Sequence, residues 1–171
     1  MFGWFQPLLF WIRKYLVSKH VASEAKLVSR KPSLEHSVLP SDTFYALSCL
    51  RHFLCEHAPA DKKPDYEKAV TTLEMSAAQT AYADVNVEVG AILLWPFFLP
   101  DIIVSDTRER EPLALVMLSY YAVFMNTLDR SFWFTRGWGR EMLGDVEKHV
   151  GEQEQFMDLL VWPRRHIVGD E

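Results

Sequence analysis

Apolar positions along this chain recur at helical spacing, and Val and Ile nowhere alternate with polar residues for long, so the pattern predicts helices and gives strands little support. A first helix is expected over 4–19, with Pro7 tolerated in its opening turn. The stretch 29–42 is polar, is broken by Pro32 and Pro40, and reads as a connector. A helix over 42–57 follows, started by Ser41 or Asp42 as N-cap. After the turn "APADKKPD", Pro64 takes the first position of a helix running to about Ala83. The next apolar segment begins near Val85 and is expected to kink or break at Trp95-Pro96, because a residue before proline avoids the α region. It resumes from Phe98 to about Arg108, and "DTREREP" (106–112), mixed in charge, reads as a solvated turn. Pro112 opens a long apolar helix ending near Asp129. A corner, "SFWFTRGWG", leads into helices at about 139–150 and 153–161.

Residues 113–128 carry no charge and are apolar almost all round. An amphipathic surface helix shows a single apolar stripe, so this one must be covered on every side. It is expected at the centre of an all-α fold, an irregular bundle of about seven helices. Its sixteen residues would span roughly 24 Å against a ~30 Å hydrocarbon core, too short for a membrane span. The apolar stretch near the N-terminus is shorter still, and Arg13 and Lys14 follow it rather than precede it as in a signal peptide. No transmembrane segment is therefore expected. The first helix is read as docked on the body, with interfacial attachment as the alternative.

Composition narrows the picture. At 171 residues the chain is the size of one domain, and 49% hydrophobic with 24% charged residues marks it as globular. Six Trp and eleven Phe supply ample area for a core. A net charge of −5 argues against a nucleic-acid partner. Two cysteines make no disulfide framework and point to a reducing compartment, cytoplasmic with the nucleus as alternative.

The ordered motifs "LLWPFFLP", "PLALVMLSYYAVFMNTLD", "FWFTRGWGREML" and "LLVWPRR" carry a resemblance. Over residues 89–165 the chain resembles the C-terminal portion of fungal zinc-cluster transcription factors of the sterol-uptake-regulator type. The shared pattern falls on Trp95-Pro96, Pro112 with Ala114-Leu115-Val116, Tyr120-Tyr121, Phe132-Trp133, Gly137-Trp138-Gly139 and Trp162-Pro163. The resemblance implies an all-α module that holds a sterol-like molecule in a deep apolar pocket, with homodimerisation as a further implication. The family's DNA-binding cluster needs six cysteines, which this chain lacks. Two positions depart from the pattern: Asn126 stands where the family often has His, and Phe156 where Trp is expected.

Candidate chemistry follows from residue type. Trp95, Phe98, Met117, Tyr120, Tyr121, Phe124, Met125, Trp133 and Trp138 are bulky and adaptable, the kind of side chain that lines apolar ligand cavities as well as cores. Tyr120 and Tyr121 cannot both face one cavity, since helix neighbours point ~100° apart. One of them is a candidate donor to a ligand's oxygen, or a core tyrosine bonded to a backbone carbonyl. Asn126 is either paired structurally or a specificity contact. Asp129 with Arg130, Arg136 and Arg140 reads as an ion pair anchoring the corner, or as a polar gate orienting a ligand's carboxylate, hydroxyl or carbonyl. If the pocket is catalytic, Tyr121, Asn126, Asp129 and Arg136 are the candidates. Cys49, His52, Cys55 and His57 sit close in sequence, but Cys55 is rotated off the Cys49–His52 face and no metal site is expected. No nucleotide loop, His-Glu-x-x-His or Gly-x-Ser-x-Gly motif occurs, and no cofactor is expected.

Three functions follow as expectations. The first is a binding module for a terpenoid- or sterol-like molecule in fungal specialised metabolism. The second is a cofactor-free cyclase or pericyclase, folding a flexible precursor in the same pocket. The third is a truncated regulator that pairs with full-length relatives.

Overall fold

The computed structural model describes residues 34–83 and 89–169. The helix expected at 4–19 lies outside the described residues, as does the segment 84–88 in which the fourth predicted helix is expected to begin. The described residues form seven α-helices, one 3-10 turn and no strand. In chain order they are α1 (Thr43–His57), α2 (Lys63–Tyr82), α3 (Val89–Phe98), α4 (Asp101–Glu109), α5 (Pro112–Leu128), the 3-10 turn (Trp133–Thr135), α6 (Trp138–Val150) and α7 (Glu154–Ile167).

Helix α5 is the centre. Thirteen of its seventeen residues are buried, so it has no solvent stripe, and α1, α3, α4, α6 and α7 all contact it. Its most extensive neighbour is α6. The approach is close because Gly139 has no Cβ: one placed there would lie 2.6 Å from the Ala122 carbonyl oxygen and 2.8 Å from Asn126 Cβ. Gly137, two residues earlier, adopts φ +81° and so permits the sharp reversal into α6. The two glycines of the Gly-Trp-Gly corner thus have different jobs, one conformational and one steric.

The predicted break at Trp95-Pro96 is corrected: α3 continues through Pro96, and the chain turns by 87° only at Leu99-Pro100. Pro100 is extended (φ −57°, ψ 143°) and caps α4. An interior proline costs about 3 kcal/mol, and the Trp95 that precedes it is anchored on both its polar and its apolar side. Its indole Nε1 donates to the Ala69 carbonyl at 3.0 Å, and its ring sits 4.5 Å from that of Tyr121. The last helix departs in the same way. It does not stop near 161 but runs through Pro163 to Ile167. The preceding Trp162 is again anchored, stacked on Tyr120 at 5.1 Å with its Nε1 donating to Asp42 Oδ1 at 2.9 Å. The two Trp-Pro pairs therefore clamp the two adjacent tyrosines of α5 from different sides.

"DTREREP" is not simply a solvated turn. Ile103, Val104, Asp106 and Thr107 make one helical face and are buried. Asp106 accepts from Lys62 Nζ at 2.7 Å and from the Tyr66 hydroxyl at 2.8 Å, which ties α4 to the start of α2. Burial, reinforced by the neighbouring Asp106 carboxylate, drives the Tyr66 phenol well above its ordinary pKa. Two turns further along α2, Arg51 holds Glu74 with two hydrogen bonds of 2.7 and 2.6 Å, joining α1 to α2.

Candidate functional site

Val123, Asn126 and Thr127 follow one another at i, i+3 and i+4, so they form one stripe at the C-terminal end of α5, and Arg130 follows in the turn just past the helix. The loop carrying Ser37, Val38 and Pro40 faces this stripe, and Ser131 and His166 complete the lining of a half-open cavity of about 440 Å³. Its lining mixes three apolar residues with Ser37, Asn126, Thr127, Arg130, Ser131 and His166.

The wall behind the cleft is a bonded chain. Asn126 Nδ2 donates to the His166 carbonyl at 3.3 Å, fixing α7 against α5. His166 Nε2 lies 3.0 Å from Asp42 Oδ1, the same oxygen that receives the Trp162 indole. Arg165 Nη1 stands 3.9 Å from Asp42 Oδ2. Partial burial works to raise the Asp42 pKa, but the hydrogen bonds from Trp162 and His166 together outweigh it and hold the carboxyl below its ordinary value. Asp42 is the N-cap of α1 by position, as the sequence predicts, but its side chain makes no cap bond and is committed to α7 instead.

The residues singled out from the sequence fall in four places. Met117, Tyr120, Tyr121, Phe124 and Met125 are buried in the core, as is Trp95. Of these, Met117, Tyr121, Phe124 and Met125 point away from the cleft stripe by helical geometry. Tyr120 reaches its rear wall through Trp162. Trp138 is partly buried against the core. Phe98, at the end of α3, is 52% exposed, and Trp133 is 82% exposed on the 3-10 turn. Of the residues singled out from the sequence only Asn126 and Arg130 line the cavity, and neither is aromatic, so the structure does not gather the aromatic set into one wall.

Two polar atoms stand out. The Tyr121 hydroxyl is buried without a hydrogen-bond partner, and burial drives its phenol pKa strongly upward. Asp129 Oδ1 is likewise buried and unpartnered, while Oδ2 accepts from the Gly137 backbone N–H at 2.9 Å. The corner is thus anchored by a carboxylate on a backbone amide, not by the aspartate–arginine ion pair expected from the sequence. Arg130, Arg136 and Arg140 are all exposed. On helix α1 the Cys55 thiol and the two imidazoles have separate partners: Cys55 Sγ donates to Glu67 Oε1 at 3.8 Å, His57 Nδ1 donates to the Phe53 carbonyl, and His52 faces Glu56 at 3.3 Å. Among the described residues no three ligating side chains converge.

Sequence reasoning passed over His166, Val38 and Ser37, and it assigned Asp42 only a capping role. The signal available for His166 was weak, one imidazole after a Trp-Pro pair. The loop residues carry no pattern at all until α5 and α7 are laid beside them.

Fold and cleft together define an all-α protein built on one buried helix, with a mixed polar and apolar cavity at that helix's C-terminal end. No protein-family model matches this chain, and comparison with curated proteins and with solved structures finds no match either.

Proposed function

We propose that this chain is a binding module for a small molecule with an apolar body and an oxygen-bearing end, terpenoid- or sterol-like as the resemblance implies. The observation that supports it is the cavity: about 440 Å³ is within the usual span of ligand sites, roughly 300–1,000 Å³. Val38, Pro40 and Val123 offer apolar contact, and Arg130 with the Ser131 hydroxyl offers donors for a carboxylate, hydroxyl or carbonyl. The share of polar lining favours an oxygenated terpenoid, above all a terpenoid acid, over a bare hydrocarbon. Isothermal titration against terpenoid acids, neutral terpenoids and sterols tests the reading. Binding that Ser131→Trp blocks and Arg130→Ala weakens supports it. A panel with no binder rejects it.

A catalytic use of the same cleft is a second reading, favoured by His166. Asp42 orients its imidazole at the cavity wall, an arrangement suited to moving a proton during a cofactor-free cyclisation. Incubation with linear terpenoid or polyketide precursors tests it. Product formation no faster than in buffer, or unaltered in His166→Gln, rejects it.

A further inference from the structure

We propose that the corner from Arg130 to Arg140 is a docking surface for an anionic phospholipid membrane. The stretch "RSFWFTRGWGR" contains three arginines and no acidic residue, in a chain whose net charge is −5. All three arginines are exposed. Between them Trp133 is 82% and Phe134 47% exposed, and their rings stand edge to face at 6.1 Å. Phe132 packs on the core beneath, 5.6 Å from Phe134, so the projecting rings rest on a fixed base.

Leaving an indole and a phenyl ring together in water forfeits apolar burial, and such a patch marks an interaction site. Charge decides the partner. Indole rings settle at the headgroup level of a bilayer, and guanidinium groups pair with lipid phosphates. The nearest acid on the inner side, Asp129, has one oxygen on the Gly137 amide and the other buried, so it does not face outward. Glu141, just past the stretch, is the one flanking acid that is exposed. No single helix among the described residues is long and apolar enough to cross a membrane, and the contact proposed for the corner is an interfacial one. Arg130 and Ser131 also line the cavity, which places its rim beside the docked surface.

Flotation of the full chain with vesicles tests the proposal. Vesicles of phosphatidylcholine with phosphatidylglycerol are expected to carry the protein, and phosphatidylcholine alone far less. Removing two cations by Arg136→Gln with Arg140→Gln is expected to weaken binding roughly 30-fold. Trp133→Ser with Phe134→Ser is expected to weaken it at least about 10-fold. Both pairs lie on the surface, and an unchanged circular dichroism melt identifies variants that retain the fold. Tyr45→Ser, which removes a similarly exposed ring on α1, is expected to leave binding intact. Absence of flotation by the wild-type chain overturns the proposal. So does flotation that both double variants leave unchanged, which would move the contact to another part of the chain.

Discussion

Trp95 and Tyr121 stand with ring centroids 4.5 Å apart, and while the indole N–H has a partner in Ala69, the phenol beside it has none. An unpaired buried hydroxyl costs about 1–3 kcal/mol. Tyr121→Phe keeps the ring and removes the orphan, so it is expected to stabilise the fold by about 1 kcal/mol. Trp95→Phe removes the bond to Ala69 and leaves a void, and is expected to destabilise by about 2 kcal/mol or more. Urea unfolding of the two variants against wild type checks both signs.

The two corner glycines are expected to differ in what they tolerate. Gly139→Ala puts a methyl group 2.6 Å from the backbone oxygen of Ala122, and two helices must separate to admit it. A loss of about 2–3 kcal/mol is expected. Gly137→Ala meets nothing within 4 Å and suffers only from its φ of +81°, a strain of about 1–2 kcal/mol. Thermal unfolding is expected to rank Gly139→Ala as the more damaging.

Asp42 makes stability depend on acid. Its folded pKa lies below the ordinary 3.8, so its contribution is present above that value and is lost as pH falls through the lowered folded pKa. Unfolding midpoints measured between pH 6 and pH 2 are expected to fall below about pH 4, with Asp42→Asn showing a shallower decline. An identical slope in wild type and variant would remove Asp42 from the account.

Asp106 is the buried charge that joins α4 to α2. Asp106→Ala strands the Tyr66 hydroxyl and frees Lys62, and a destabilisation of about 3 kcal/mol is expected. Lys62→Met, which leaves the buried Asp106 carboxylate with the Tyr66 hydroxyl but without its countercharge, is expected to cost at least as much. The order of the two denaturant midpoints checks which partner matters more.

Much of the fold was legible in the sequence because helix spacing is local. Pro112 opened α5, Pro64 fell in the first turn of α2, and an all-round apolar stretch could only be central. The misplaced breaks at Pro96 and the early end assigned to α7 share one cause. Each proline follows a tryptophan whose anchoring partners, Ala69 and Tyr121 or Asp42 and Tyr120, are distant in sequence. The candidate site was less legible. Asn126 was singled out for its polarity on an apolar helix, and it does line the cavity. Val123, Thr127 and Arg130 share its helical spacing, but the opposite wall comes from residues 37–40 and His166, and no periodicity links those to α5.

By itself the sequence determined that the chain is helical, that one helix is enclosed by the rest, and that a glycine corner follows it, because these depend on side-chain spacing and backbone freedom within a few residues. Only the tertiary structure decided which aromatic rings became core and which were left in water. Only it decided that Asp42 serves α7 rather than its own helix, and that the cavity opens beside Asn126 rather than beside Tyr121. Those outcomes turn on contacts across as many as 124 positions, and nothing in a local pattern encodes which distant surfaces will meet.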